Sequence, residues 1–220
     1  MKSIRESVAR VTQAGTDWLS ILLLLMAIAL GALAAVRSFA TPTVAGPRTV
    51  KNWQSLAEGA NRLGDPKLPV QVLVFSDFQC PYCARFAKVV KEIERGSKPI
   101  GIAFRHFPLT QAHPFAEPAA VASECAAAQG MFEAYHNVVF AKRDSLGILS
   151  WQDYAKRAGV VDSATFANCL QSPVPKQRVA KDVAMGLLLG LSATPTIIVN
   201  GRLISGALDS TQLRALLAVK

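Results

Sequence analysis

The sequence predicts an α/β fold, with a β-α-β unit, a helical insertion of about 80 residues and a β-β-α unit forming a mixed sheet flanked by helices. One N-terminal transmembrane helix precedes it. Three observations predict this layout. Nineteen uncharged residues run from Trp18 to Val36. The apolar, β-branched stretch VQVLVFSDF (70–78) gives way at Cys80-Pro81 to helical spacing. After a long helical tract, strand patterning returns at PTIIVNG (195–201).

Residues 1–17 read as a cytoplasmic tail and residues 18–36 as a membrane anchor bounded by Asp17 and Arg37. A helix of that length spans roughly 28 Å, about the thickness of a bilayer's hydrocarbon core. A signal peptide ending at Ser38-Phe39-Ala40 is the alternative. Against cleavage, the run exceeds the ~7–15 residues of a signal core, and seventeen residues precede it. Lys2, Arg5 and Arg10 lie before the run, while Arg37, Arg48 and Lys51 follow it, so the positive-inside count does not choose an orientation.

Residues 37–68, rich in proline and glycine, read as a linker, with Trp53 and Leu56 packing on the edge of a domain that covers 69–220. The strand at 70–78 is followed by a helix with Phe86, Val89, Val90 and Ile93 on one face, which ends near Gly96. A second strand, IGIAFRHFPL, covers 100–109. The insertion, about 110–193, reads as successive helices: one alanine-rich up to Gly130, then FEAYHNVVFAK, WQDYAKRAG behind Ser150, SATFANCLQ behind Asp162 or Ser163, and KQRVAKDVAMGLLLG. Asn200-Gly201 marks a hairpin turn into RLISGA, and a last helix begins at Asp209 or Ser210.

Half of the residues are apolar, enough to build a core. The net charge of +9 does not point to nucleic acid, because the basic residues are scattered and no aromatic-rich sheet motif accompanies them. A basic surface of this kind favours acidic partners or anionic lipid headgroups.

Chemistry concentrates at Cys80-Pro81-Tyr82-Cys83, where a buried strand feeds a helix. Proline suits the first helical position, which lacks an N–H partner anyway. The Cys80 sulfur then sits at the helix N-terminus, where free N–H groups and the macrodipole favour the thiolate, the nucleophile of disulfide exchange. Cys83, one turn on, is placed to resolve a mixed disulfide. A zinc site would need Cys125 and Cys169 as further thiolates; they stand 44 residues apart without a second CxxC, so no metal is expected. No flavin or nicotinamide motif is present, and no cofactor is expected.

Phe75 to Cys83 (FSDFQCPYC), Arg105-His106-Phe107-Pro108-Leu109 and Thr194-Pro195-Thr196 together resemble the DsbA-like branch of the thioredoxin superfamily over about residues 50–220. Glutaredoxins share CPYC but lack both the anchor and the long insertion. The resemblance implies a thioredoxin fold with a helical insertion and a cis Thr194–Pro195 bond beside the CxxC. It also implies that the Thr194 backbone pairs with an extended substrate segment. Pro81, Tyr82 and Asp77 are expected as neighbours of the reactive pair, Asp77 either moving protons or bracing the strand-to-helix turn. His106 is expected to be packed and hydrogen-bonded, and His113 to shape a turn. Some relatives carry a second, structural disulfide in the insertion, which implies a Cys125–Cys169 bridge; two buried reduced thiols are the alternative.

A bridge requires an oxidising compartment. The expectation is therefore a single-pass inner-membrane protein with its catalytic domain in the periplasm. It would oxidise cysteine pairs in exported proteins and be regenerated by a membrane partner of DsbB or vitamin-K-epoxide-reductase type. Isomerases of the related type add a dimerisation domain, for which the roughly 30 residues after the span leave no room. Thiol reduction, or a holdase role without redox turnover, remain the alternatives.

Overall fold

The computed structural model describes residues 18–31, 48–96 and 99–219. The chain forms two units, residues 1–46 and 47–220. In the first, residues 18–31 are helical (α1) and every one is exposed. Among the described residues no helix is long and apolar enough to cross a membrane. Residues 32–36 of the expected span lie outside the described residues, as do the tail at 1–17 and residues 37–47.

The second unit is built on a six-stranded sheet. Its strands are β1 (Arg48–Thr49), β2 (Asn61–Leu63), β3 (Val70–Ser76), β4 (Gly101–His106), β5 (Thr196–Val199) and β6 (Arg202–Ser205), in the spatial order β1-β6-β5-β3-β4-β2. β3 and β4 are parallel, with Ser76 opposite His106, whereas β5 runs antiparallel to β3 and forms a hairpin with β6. Asn200 and Gly201, both at positive φ (49° and 78°), make the two-residue turn between them. The strand period of two splits β3 between two cores. Val72 and Val74 join Phe86, Val90, Ile93 and Phe104 on one face, while Leu73 and Phe75 join Trp53, Phe107 and Ile198 on the other.

Around the sheet lie α2 (Pro81–Glu94), α3 (Ala116–Ala127), α4 (Phe132–Ala141), α5 (Trp151–Arg157), α6 (Ser163–Gln171), α7 (Pro173–Leu188) and α8 (Ser210–Ala218). Alanines on several sides of α3 are buried, and their small side chains let it sit among α4, α6 and α7. Ser150 with Asp153, and Asp209 with Gln212, form reciprocal capping boxes on α5 and α8. Asp162 accepts a hydrogen bond from the Thr165 N–H and caps α6. α7 crosses close to the end of β4 at Gly186, where a Cβ would lie 2.5 Å from the Phe107 ring. Arg105 and Asp182 pair at 2.6 Å in the interior, and the second Asp182 oxygen accepts from the His106 N–H, so α7 is also bolted to β4.

Several boundaries differ from the sequence expectation, and the strand read over 100–109 ends at His106. Part of the segment read as linker belongs to the domain: β1 and β2 pair with β6 and β4, and a 3-10 turn at Trp53–Ala57 buries Trp53. Strands of two and three residues are too short to display a period. α7 starts at Pro173 rather than Lys176, because both Pro173 and Pro175 fall in the first turn, where no backbone donor is needed, and Ser172 caps it.

Candidate active site

β3 ends at Ser76, and the chain turns through Asp77, Phe78 and Gln79 into α2, whose N-cap is Cys80 and whose first residue is Pro81. The helix therefore opens with its free N–H groups at the Cys80 sulfur. Both cysteines are thiols in this structure, and both are buried, 3 % and 1 % exposed. Across from them the Thr194–Pro195 peptide bond is cis, and the Thr194 carbonyl lies 3.3 Å from the Cys80 sulfur, from which it accepts only while the thiol is protonated. The Thr194 hydroxyl is buried without a complete hydrogen bond, yet stands close enough to the sulfur to favour its anion.

These surroundings split the two thiols. A hydrogen bond from the Cys83 thiol is the main influence that draws Cys80 down to about 5 from an ordinary 9.0. Burial works against it, while the Thr194 side chain and the Cys83 and Tyr82 backbone assist. Cys83 is pushed well up, first by burial and then by its interaction with the Cys80 anion, although the Asp77 N–H donates to its sulfur at 3.4 Å. One sulfur is thus an anion at neutral pH and the other holds its proton, the division that thiol exchange requires.

Asp77 is fully buried, and both its oxygens are occupied. Oδ1 accepts from the N–H groups of Gln79 (2.7 Å) and Cys80 (3.2 Å), and Oδ2 from the Leu109 N–H and the His113 ring, each at 2.8 Å. This carboxylate ties the reactive turn to the loop after β4. Of the two roles expected for it, the contacts fit bracing. Gln79 is a further brace that the sequence reading did not single out. Its side chain accepts from the Phe115 N–H at 2.8 Å, and its carbonyl accepts from Arg143 at 3.3 Å. Nothing local marks Gln79 or Arg143, since their partners stand 36 and 64 residues away.

Pro81 and Tyr82 are exposed beside the pair, and Arg85 lies 4.7 Å over the Tyr82 ring. His106 is buried and bonded to Glu124 at 2.9 Å, away from the sulfurs' own partners. Cys125 on α3 and Cys169 on α6 are joined by a disulfide, so neither is a free thiolate for a metal. Among the described residues no group of three or more His, Cys, Asp or Glu is arranged to hold a metal ion.

A family model described as thioredoxin matches residues 57–218. A thioredoxin-like oxidoreductase of Silicibacter pomeroyi superposes with a TM-score of 0.63 at 25 % identity, covering 76 % of this chain and 95 % of that one. BdbD of Bacillus subtilis, in its oxidised form, gives 0.61 at 24 % identity, with 73 % and 91 % covered. A periplasmic thioredoxin-like protein of Salmonella enterica gives 0.62 at 19 %, with 77 % and 97 % covered. In sequence, the Na(+)/H(+) antiporter NhaA 3 of Salinispora tropica is 37 % identical over 139 residues, which is 63 % of this chain and 21 % of the antiporter. The corresponding antiporter of Herminiimonas arsenicoxydans is 32 % identical over 155 residues, 70 % of this chain and 24 % of its own length. The chain thus spans a fifth to a quarter of the curated relatives it matches.

Proposed function

The chain belongs to the thioredoxin family, and we propose that it is a DsbA-like thiol–disulfide oxidoreductase that oxidises cysteine pairs in exported proteins. The observation that carries this reading is the unequal pair, with Cys80 lowered to about 5 beside a Cys83 that keeps its proton.

In the oxidised state the pair would be a Cys80–Cys83 disulfide. A substrate thiolate attacks the Cys80 sulfur, an S–S bond forms between them, and the electron pair of the broken bond goes to Cys83, which takes up a proton. The second substrate thiolate then attacks the substrate sulfur of the mixed disulfide. Cys80 leaves with the electron pair and stays ionised at neutral pH. The substrate loses two electrons and both thiol protons, one taken up by Cys83 and the other by solvent, and this chain is left reduced, with Cys80 a thiolate and Cys83 a thiol. A low-pKa leaving thiol departs readily and stabilises the reduced enzyme, which favours oxidation of the substrate. Extended substrate beside Thr194 and Pro195 would present its cysteine to Cys80. Regeneration would fall to a membrane partner of DsbB or vitamin-K-epoxide-reductase type.

The direction is tested by equilibrating the Cys80–Cys83 couple with glutathione. A potential near the ~−120 mV of strong oxidants supports oxidation, whereas one near the ~−270 mV of thioredoxin would make the chain a reductase. A Cys83→Ser variant should trap mixed disulfides with exported proteins. Full activity in vivo of Cys80→Ser would replace exchange by a holdase role.

The uncharged run at Trp18–Val36 and the Cys125–Cys169 bridge support a single-pass anchor with the domain in the periplasm. Alkaline carbonate extraction should leave the protein in the membrane pellet; release of a soluble form starting at Thr41 would make the run a cleaved signal. The match to the antiporters covers too little of their length to carry sodium–proton exchange to this chain.

A further inference from the structure

A basic groove begins at the reactive turn and runs between α2 and α4. Its wider end encloses about 600 Å³ and is lined by Pro81, Tyr82, Arg85, Lys88, Phe140 and Arg143, among others. It continues past Ala84 and Ala87 to a narrower end of about 110 Å³ that adds Lys91 and Asn137. The floor is apolar and the small alanine side chains leave it open. The rim carries four cations, Arg85, Lys88, Lys91 and Arg143, against one carboxylate, Asp144. Asp144 is already paired with Arg143 at 2.9 Å. Arg85 lies against Tyr82, and Arg143 donates to the carbonyl of Gln79, the residue before Cys80, so the positive field reaches the nucleophile's own turn.

We infer that this groove receives an acidic peptide segment flanking the reactive cysteine of the partner protein, so that the enzyme prefers thiols with carboxylates a few residues away. The inference rests on the oxidoreductase reading above. Three features favour this occupant. The groove starts within one helical turn of Cys80, so a chain joined to that sulfur has its neighbouring residues at the rim. The four rim cations outnumber the one rim carboxylate, Asp144, which Arg143 already holds. The apolar floor between them suits a peptide's aliphatic and aromatic side chains more than a bare anion. A cleft lined by one sign of charge raises association rates about 10-fold or more at low ionic strength.

The full chain, oxidised to the Cys80–Cys83 disulfide, is mixed with single-cysteine peptides identical except for flanking aspartates, glutamines or lysines. The rate of disulfide reduction is followed for each. The acidic peptide should react about tenfold faster than the neutral one in dilute buffer, and the difference should collapse in 1 M salt, where the screening length is ~3 Å. In a Lys88→Glu, Lys91→Glu variant the order should reverse, with the lysine peptide fastest. Comparing the same peptides on both proteins cancels differences in their own thiol ionisation, and a reversal cannot arise from general structural damage. Equal ratios on the two proteins overturn the groove and leave the exchange reading standing. No exchange with any peptide overturns both. Retention on phosphatidylglycerol vesicles that depends on Lys88 and Lys91, without a peptide preference, assigns the groove to lipid headgroups and also overturns the proposal.

Discussion

Replacing Cys83 by alanine removes the leading influence on the Cys80 thiol while leaving the helix N-terminus and Thr194 in place. The Cys83 S–H donates to what becomes a thiolate, and a hydrogen bond to a charged group contributes roughly 1.5–3 kcal/mol. At 1.36 kcal/mol for each pKa unit, its loss should raise Cys80 by about 1–2 units, from about 5 to about 6–7. The sign follows from which form is bonded: the donor stabilises the anion, so its removal makes the proton harder to lose. The assay is the pH dependence of iodoacetamide alkylation on the reduced protein, with thiolate absorbance at 240 nm as a second readout. Native protein should label Cys80 with a midpoint near pH 5, with Cys83 protected by burial and its raised pKa. The alanine variant should show its midpoint displaced upward, and Cys83→Ser, which retains a hydroxyl donor, should fall between the two. An unchanged midpoint in Cys83→Ala would refute the attribution to Cys83 and leave the helix terminus as the dominant influence. A native midpoint near the ordinary thiol value would refute the unequal pair altogether.

Two further outcomes are expected. Replacing both Cys125 and Cys169 by alanine opens a loop of 44 residues, which the chain-entropy model values at about 4 kcal/mol as an upper figure, so the melting temperature should fall while exchange at Cys80 persists; an unchanged melting temperature contradicts a structural role. His136, buried among Phe78, Phe104 and Phe140, is held neutral by desolvation down to about 3. Below the ordinary imidazole value of 6.5 the unfolded chain binds a proton that the folded chain refuses, so stability falls as pH drops from 6.5 towards 3. At pH 5 the loss is about 2 kcal/mol, and His136→Phe should flatten the change seen by urea unfolding at pH 7 and pH 5; an equal slope in both proteins would assign acid sensitivity elsewhere.

What the sequence determined by itself was carried by short-range physics. The apolar, β-branched run over residues 70–76, the helical spacing of Phe86, Val90 and Ile93, and the cap candidates at 150, 162–163 and 209–210 each act within one or two turns of chain. Element type and order were therefore legible from β3 to α8. So was the place of Cys80 at a helix N-terminus, because the strand–CPYC–helix junction that sets it there is itself local. Family resemblance, rather than any pattern in this chain, supplied the cis Thr194–Pro195 bond and the Cys125–Cys169 bridge. Tertiary structure alone decided the rest. Asp77 meets Leu109 and His113 only because β3 and β4 end side by side, and Thr194 reaches Cys80 across 114 residues because β5 pairs with β3. β1 and β2 exist through pairing with β6 and β4, since two or three residues cannot hold an extended conformation alone. The Arg143 cation joins Arg85, Lys88 and Lys91 because α4 packs beside α2. Long-range contacts of this kind arise when buried surfaces close together, and no local spacing encodes which partner each face will find.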